Sequence, residues 1–102
     1  MPKYNIHNEV ECRGHVLWSN HAIMRAAEYR VDCPALYMAW TQAVEYELDE
    51  DQKQYKFQKY GSRSLGDRYF YHDQTDLVFT VNVARSGQWF IETVIIGKGN
   101  KN

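Results

Sequence analysis

Leu77-Val78-Phe79-Thr80-Val81-Asn82-Val83, then Trp89-Phe90-Ile91-Glu92-Thr93-Val94-Ile95-Ile96, is the stretch from which the rest of the chain can be read. Both runs are β-branched and aromatic, the composition of strands that pack on a core. Arg85-Ser86-Gly87-Gln88 between them has the chemistry of a hairpin turn. Upstream, Arg68 to His72 is aromatic-rich and strand-like, and Asp73-Gln74-Thr75-Asp76 is a turn. Three successive strands of an antiparallel sheet are therefore expected. Earlier still, Tyr55, Phe57 and Lys59 alternate with Lys56, Gln58 and Tyr60, which predicts a further half-buried strand. Gly61 to Asp67 reads as a loop.

The first half has another period. Val16-Leu17-Trp18 is a short apolar run with the look of a strand. Ser19 follows as an N-cap, its hydroxyl able to accept from a free backbone N–H of the next turn. Asn20 to Arg30 is helical in composition. Asp32 or Cys33 caps a second helix with Pro34 at its first position, where proline loses no hydrogen bond. Leu36, Trp40, Ala43 and Val44 repeat along it at helical spacing. The acidic run Glu45 to Asp51 opposes the dipole at a helix C-terminus, so this helix is expected to fray near Leu48. The predicted order is β-α-α-β-β-β-β. This is an α+β fold with two N-terminal helices packed on a four- to five-stranded antiparallel sheet.

At 102 residues the chain is read as one domain, 1–102, with an N-terminal extension over 1–12 and a flexible tail over 97–102. Hydrophobic residues at 44% and charged residues at 25% exclude wholesale disorder, and aromatics at 15% can fill a small core. The longest uncharged stretch, Cys33 to Val44, is 12 residues, too short to cross a bilayer. No signal peptide is visible, and two cysteines make no disulfide scaffold. These features lead us to expect a cytoplasmic protein that meets no membrane.

The net charge of −1 hides an asymmetry. Residues 1–52 carry 4 basic and 9 acidic side chains, and residues 53–102 carry 8 basic and 4 acidic ones. The near-zero total argues against a strong nonspecific polyanion binder, whereas the basic second half leaves room for a confined phosphate site.

The densest chemistry is Ser19-x-His21-Ala22-x-x-Arg25-x-x-Glu28-x-Arg30. On a helix, His21, Arg25 and Glu28 share one face. An imidazole exchanges a proton near neutral pH, and a guanidinium grips two phosphate oxygens at once. Metal-free RNA cleavage needs a base for the 2′-OH, a cation for the phosphorane and an acid for the leaving oxygen. The same residues also suit an exposed helix face with Arg25 and Glu28 as a surface pair. Arg68, Tyr71 and His72 are further candidates for substrate contact, with His72 as a second imidazole. Tyr69 and Tyr71 suit either base stacking or a partly buried pair. Cys12-x-x-His15 has a metal-ligand spacing without a second matching pair, so no metal and no cofactor is expected. No phosphate-binding glycine loop occurs.

Residues 19–31, SNHAIMRAAEYRV, resemble the opening motif of a family of small uncharacterised prokaryotic proteins. In that family a strand is followed by a His-Ala-x-x-Arg helix carrying a further Glu-x-Arg. The family is similar to the RelE-like toxins of the barnase–EndoU–colicin–RelE nuclease group. Phe90 to Ile95 resembles its closing strand, with Val31 and Ile95 departing from the usual glycine and aromatic. The resemblance implies a RelE-like fold and a toxin-type endoribonuclease. In it His21 would be the general acid or base, Arg25 and Arg30 would hold the phosphate, and Thr93 would place a hydroxyl beside it. RNA and a cognate antitoxin would be the partners. The alternative expectation is a catalytically silent phage or mobile-element protein on the same fold. It would bind a host protein through the acidic surface Glu45 to Asp51.

Overall fold

A computed structural model describes residues 13–97. The elements run β1 (Leu17–Trp18), α1 (Asn20–Glu28), α2 (Cys33–Gln42), β2 (Val44–Tyr46), α3 (Glu50–Tyr60), a 3₁₀ turn (Ser62–Ser64), β3 (Arg68–His72), β4 (Leu77–Val83) and β5 (Trp89–Ile96). The five strands form one sheet in the order β1-β5-β4-β3-β2. The fold is α+β, as expected, and the three strands β3 to β5 and helices α1 and α2 fall where the sequence places them. The N-terminal extension 1–12 and residues 98–102 lie outside the described residues.

Three expectations are corrected. The sheet is mixed, because β1 runs parallel to β5 while the other pairings are antiparallel. Helix α2 stops at Gln42, and the chain enters edge strand β2, so no fraying helix reaches Leu48. The predicted strand over 55–60 is instead the second half of helix α3.

The physical reason for the last correction is local. Asp49 and Gln52 form a reciprocal capping box, Glu50 and Asp51 occupy the first turn and Lys59 the last. Each favours a helix in this direction, so the acidic run starts a helix where it was expected to end one. Gly61, at φ 90°, closes it. The alternation of aromatics misleads because Tyr55 and Phe57 face solvent, whereas the buried residue is Lys56.

Helices α1 and α2 cover one face of the sheet. Ala22, Ala26, Leu36, Ala39 and Trp40 pack there against Phe70, Leu77, Phe79, Val81, Trp89, Ile91 and Val94. Trp40 is fully buried at the centre, with Phe70 and Phe79 edge-on at 5.0 and 5.3 Å. The Arg13 guanidinium sits 4.7 Å from the Trp40 ring and donates to the carbonyls of Trp40 and Ala43, which ties down the end of α2. Leu48, Tyr69, Val78 and Ile95 form a smaller cluster on the opposite face, joined by Tyr46, Tyr60 and Tyr71. Helix α3 lies on this side, making three layers. Thr80 pairs with Thr93 and Val81 with Ile91, so Glu92 is an extra, bulged residue in β5.

Gly97 does not belong to a loose tail. It is buried, its N–H donates to Asp76 O at 2.7 Å, and its carbonyl accepts from Lys56 Nζ at 2.9 Å.

Candidate functional site

Helix α1 begins where β1 leaves the sheet. Ser19 N donates to Ile91 O, Ser19 Oγ donates to Glu92 O at 2.7 Å, and the same Oγ accepts from Ala22 N at 2.9 Å. One serine thus caps the helix and fastens its start to the bulge of β5. Ala22 and Ala26 let the helix approach the sheet closely, which turns His21, Arg25 and Glu28 outward.

His21 is half-buried, and no hydrogen bond reaches its ring among the described residues. One turn further, Arg25 donates to Glu28 Oε1 at 2.9 Å, and its Nε is buried without a partner. The Arg25 guanidinium carbon lies 6.0 Å from the Tyr60 ring centre. The phenol of Tyr29 belongs to the same group. Burial pushes it above its ordinary value, and the nearby Arg25 charge opposes the shift. Across the bulge, Arg63 pairs with Glu92 at 2.5 Å. The structure therefore brings Arg25, Glu28, Tyr29 and Tyr60 together between α1 and the end of α3, while Ser19 fastens the start of α1 to the bulge where Arg63 meets Glu92.

The other sequence candidates scatter. Arg30 is exposed just past the end of α1, at φ 66°. Thr93 is 1% exposed, and its hydroxyl has no hydrogen-bond partner among the described residues. Strand alternation puts Thr93 with Ile95 on the α3 side of the sheet, away from the face α1 covers. His72 is buried beside α2, with Nδ1 2.8 Å from Thr75 Oγ1 and Nε2 3.0 Å from Gln42 Oε1. A neutral imidazole protonated on Nε2 satisfies both contacts. Arg68 makes a two-pronged bond to Glu45 at 2.8 and 2.5 Å and lies 4.7 Å from the Trp89 ring centre, a strut between β2 and β3. The Tyr71 hydroxyl donates to Asp76 Oδ1 at 2.8 Å.

Sequence reading misses Tyr60, Arg63 and Glu92. The first two were hidden by reading their helix as a strand and its end as a loop. Glu92 had a visible signal: two polar residues in succession, Glu92-Thr93, interrupt an otherwise apolar strand.

No group of three or more metal-ligating side chains occurs among the described residues, and Cys33 is exposed. Cys12 lies outside them. No helix among the described residues is long and apolar enough to cross a membrane. No family model, curated protein or solved structure matches the chain.

Proposed function

We propose that the protein is a metal-independent endoribonuclease with His21 and Arg25 as its catalytic pair, on a RelE-like variant of the α+β fold. The observation that carries this reading is the half-exposed, unpartnered His21 imidazole one helical turn before Arg25. His21 takes the proton of a 2′-OH, the 2′ oxygen attacks phosphorus, and the bond to the 5′ oxygen breaks. Arg25 faces the charge that builds on the phosphorane, sharing its guanidinium between Glu28 and the phosphate. Water protonates the leaving 5′ oxygen, because His72 is enclosed elsewhere. A 2′,3′-cyclic phosphate results. Arg30 meets a neighbouring phosphate at the far end of α1. Thr93 takes no part, since its hydroxyl is enclosed.

The test is incubation of the folded protein and its His21→Ala variant with mixed RNA in excess EDTA. Cleavage by the parent, lowered on the order of 100-fold or more in the variant, is the expected result. Equal cleavage by both proteins, or cleavage by neither, overturns the reading.

A second reading, a silent interaction protein, draws on exposed Glu47, Asp49, Glu50 and Asp51 between β2 and α3. In that case neither protein cuts RNA and both bind the same partner.

A further inference from the structure

The sheet ends on the α3 side in a groove of about 740 Å³, lined by Val44, Tyr46, Asp51, Tyr55, Lys56 and Tyr71 among others. None of the residues proposed for RNA cleavage lines it. Its floor is the outer part of the sheet, since Val44 pairs with Tyr71 and Tyr46 with Tyr69. Its wall is α3, which presents Tyr55 and Lys56. Val44 is 69% exposed and Tyr55 55%, so the apolar surface is open to solvent.

Two further features define what fits. First, β2 is the last strand of the sheet, and no described strand pairs with its outer side. Its backbone donors and acceptors there can receive an added strand, and exposed edges of this kind recruit extended peptides. An added strand lays alternate side chains over Val44 and Tyr46, into the groove. Second, the connection leading into α3 is acidic. Glu47, Asp49, Glu50 and Asp51 are all exposed, and among the described residues they form a single ion pair, Glu50 with Lys53 at 3.9 Å. Lys56, a buried cation in the groove, donates to Gly97 O. The surface therefore favours positive charge beside apolar side chains.

We propose that this groove and the outer edge of β2 bind an extended segment of a partner protein in which basic and apolar residues alternate. The apolar side chains enter between Val44, Tyr46 and Tyr55, and the basic ones, on the other face of the added strand, meet Glu47 and the acidic connection beside it.

The test uses the full chain labelled with ¹⁵N and three synthetic probes: a nonapeptide alternating lysine and valine, its glutamate–valine counterpart, and pentalysine. The expected result is amide shifts concentrated at 44–46 and 51–56. The lysine–valine peptide saturates them at least tenfold below pentalysine, and the glutamate–valine peptide leaves them unmoved. Glu47→Lys and Tyr55→Ala, both at exposed positions, each weaken that binding about tenfold. Equal binding of pentalysine, shifts scattered over other surfaces, or no shift at all overturns the proposal. Concentration-dependent shifts of the same amides without peptide assign the groove to a second copy of the chain, and binding only after removal of residues 98–102 assigns it to the chain's own end. Either of these also overturns the partner proposal. RNA cleavage enters none of these readouts, so the two proposals stand or fall separately.

Discussion

Ser19 and Glu92, 73 positions apart, are joined by a 2.7 Å hydrogen bond from the serine hydroxyl to the glutamate carbonyl. That bond sets the position of α1 against the bulge of β5, and with it the place of His21 relative to the Arg63–Glu92 pair.

Ser19→Ala removes the cap of α1 and this tether together. A lost N-cap costs about 1 kcal/mol, and the long-range bond adds a similar amount. Chemical denaturation is expected to show a loss near ~2 kcal/mol. Ser19→Asp, which keeps a cap acceptor but no donor for Glu92 O, is expected to recover about half of it.

Arg30 occupies the left-handed region at φ 66°, where its N–H still donates to Ala27 O at 2.9 Å. A non-glycine residue there costs roughly 1 kcal/mol. Arg30→Gly should therefore raise stability by about 1 kcal/mol, read as a higher denaturation midpoint. If Arg30 grips a phosphate, the same variant binds RNA more weakly while being more stable. Opposite movements of the two quantities are not expected from a purely structural residue.

Thr93 buries a hydroxyl that has no partner. Thr93→Val replaces it with a methyl of similar size. The expected outcome is a gain of about 1 kcal/mol in urea unfolding, with RNA cleavage unchanged. A loss of stability or of cleavage would place a hydrogen-bond partner or a phosphate at that hydroxyl.

Burial, with smaller contributions from the Tyr69 and Tyr71 phenols and Asp76, pushes the Tyr46 phenol well above its ordinary value. A raised phenol favours the neutral form in the fold. Its stability contribution is complete below the unfolded value near ~10 and is lost as pH rises above it. Unfolding measured between pH 9 and pH 12 should show a steepening decline, and Tyr46→Phe should flatten it.

The parts of the fold that sequence reading recovers are those whose local signals agree with their tertiary setting. Leu77–Val83 and Trp89–Ile96 are buried strands with strand composition, and Ser19 and Asp32 cap α1 and α2 as their side chains suggest. Helix α3 was illegible because its exposed face carries Tyr55 and Phe57 and its buried position carries a lysine, which inverts the usual pattern. Strand β1 has two residues, too few to reveal that its partner runs parallel. At the candidate site, the His21–Arg25–Glu28 face follows from helical spacing alone. Tyr60, Arg63 and Glu92 lie 32 or more positions along the chain from that face, beyond the reach of any local pattern.

The most direct test of the central claim uses one short RNA with a single susceptible linkage, and a second copy bearing a 2′-deoxy sugar at that linkage. Both are incubated with the folded protein in EDTA, with His21→Ala and Arg25→Ala alongside. The expected result is cleavage of the all-ribose strand alone, leaving a 2′,3′-cyclic phosphate, with each variant slower on the order of 100-fold. Cleavage of the deoxy strand, undiminished cleavage by His21→Ala, or an intact all-ribose strand would contradict the account.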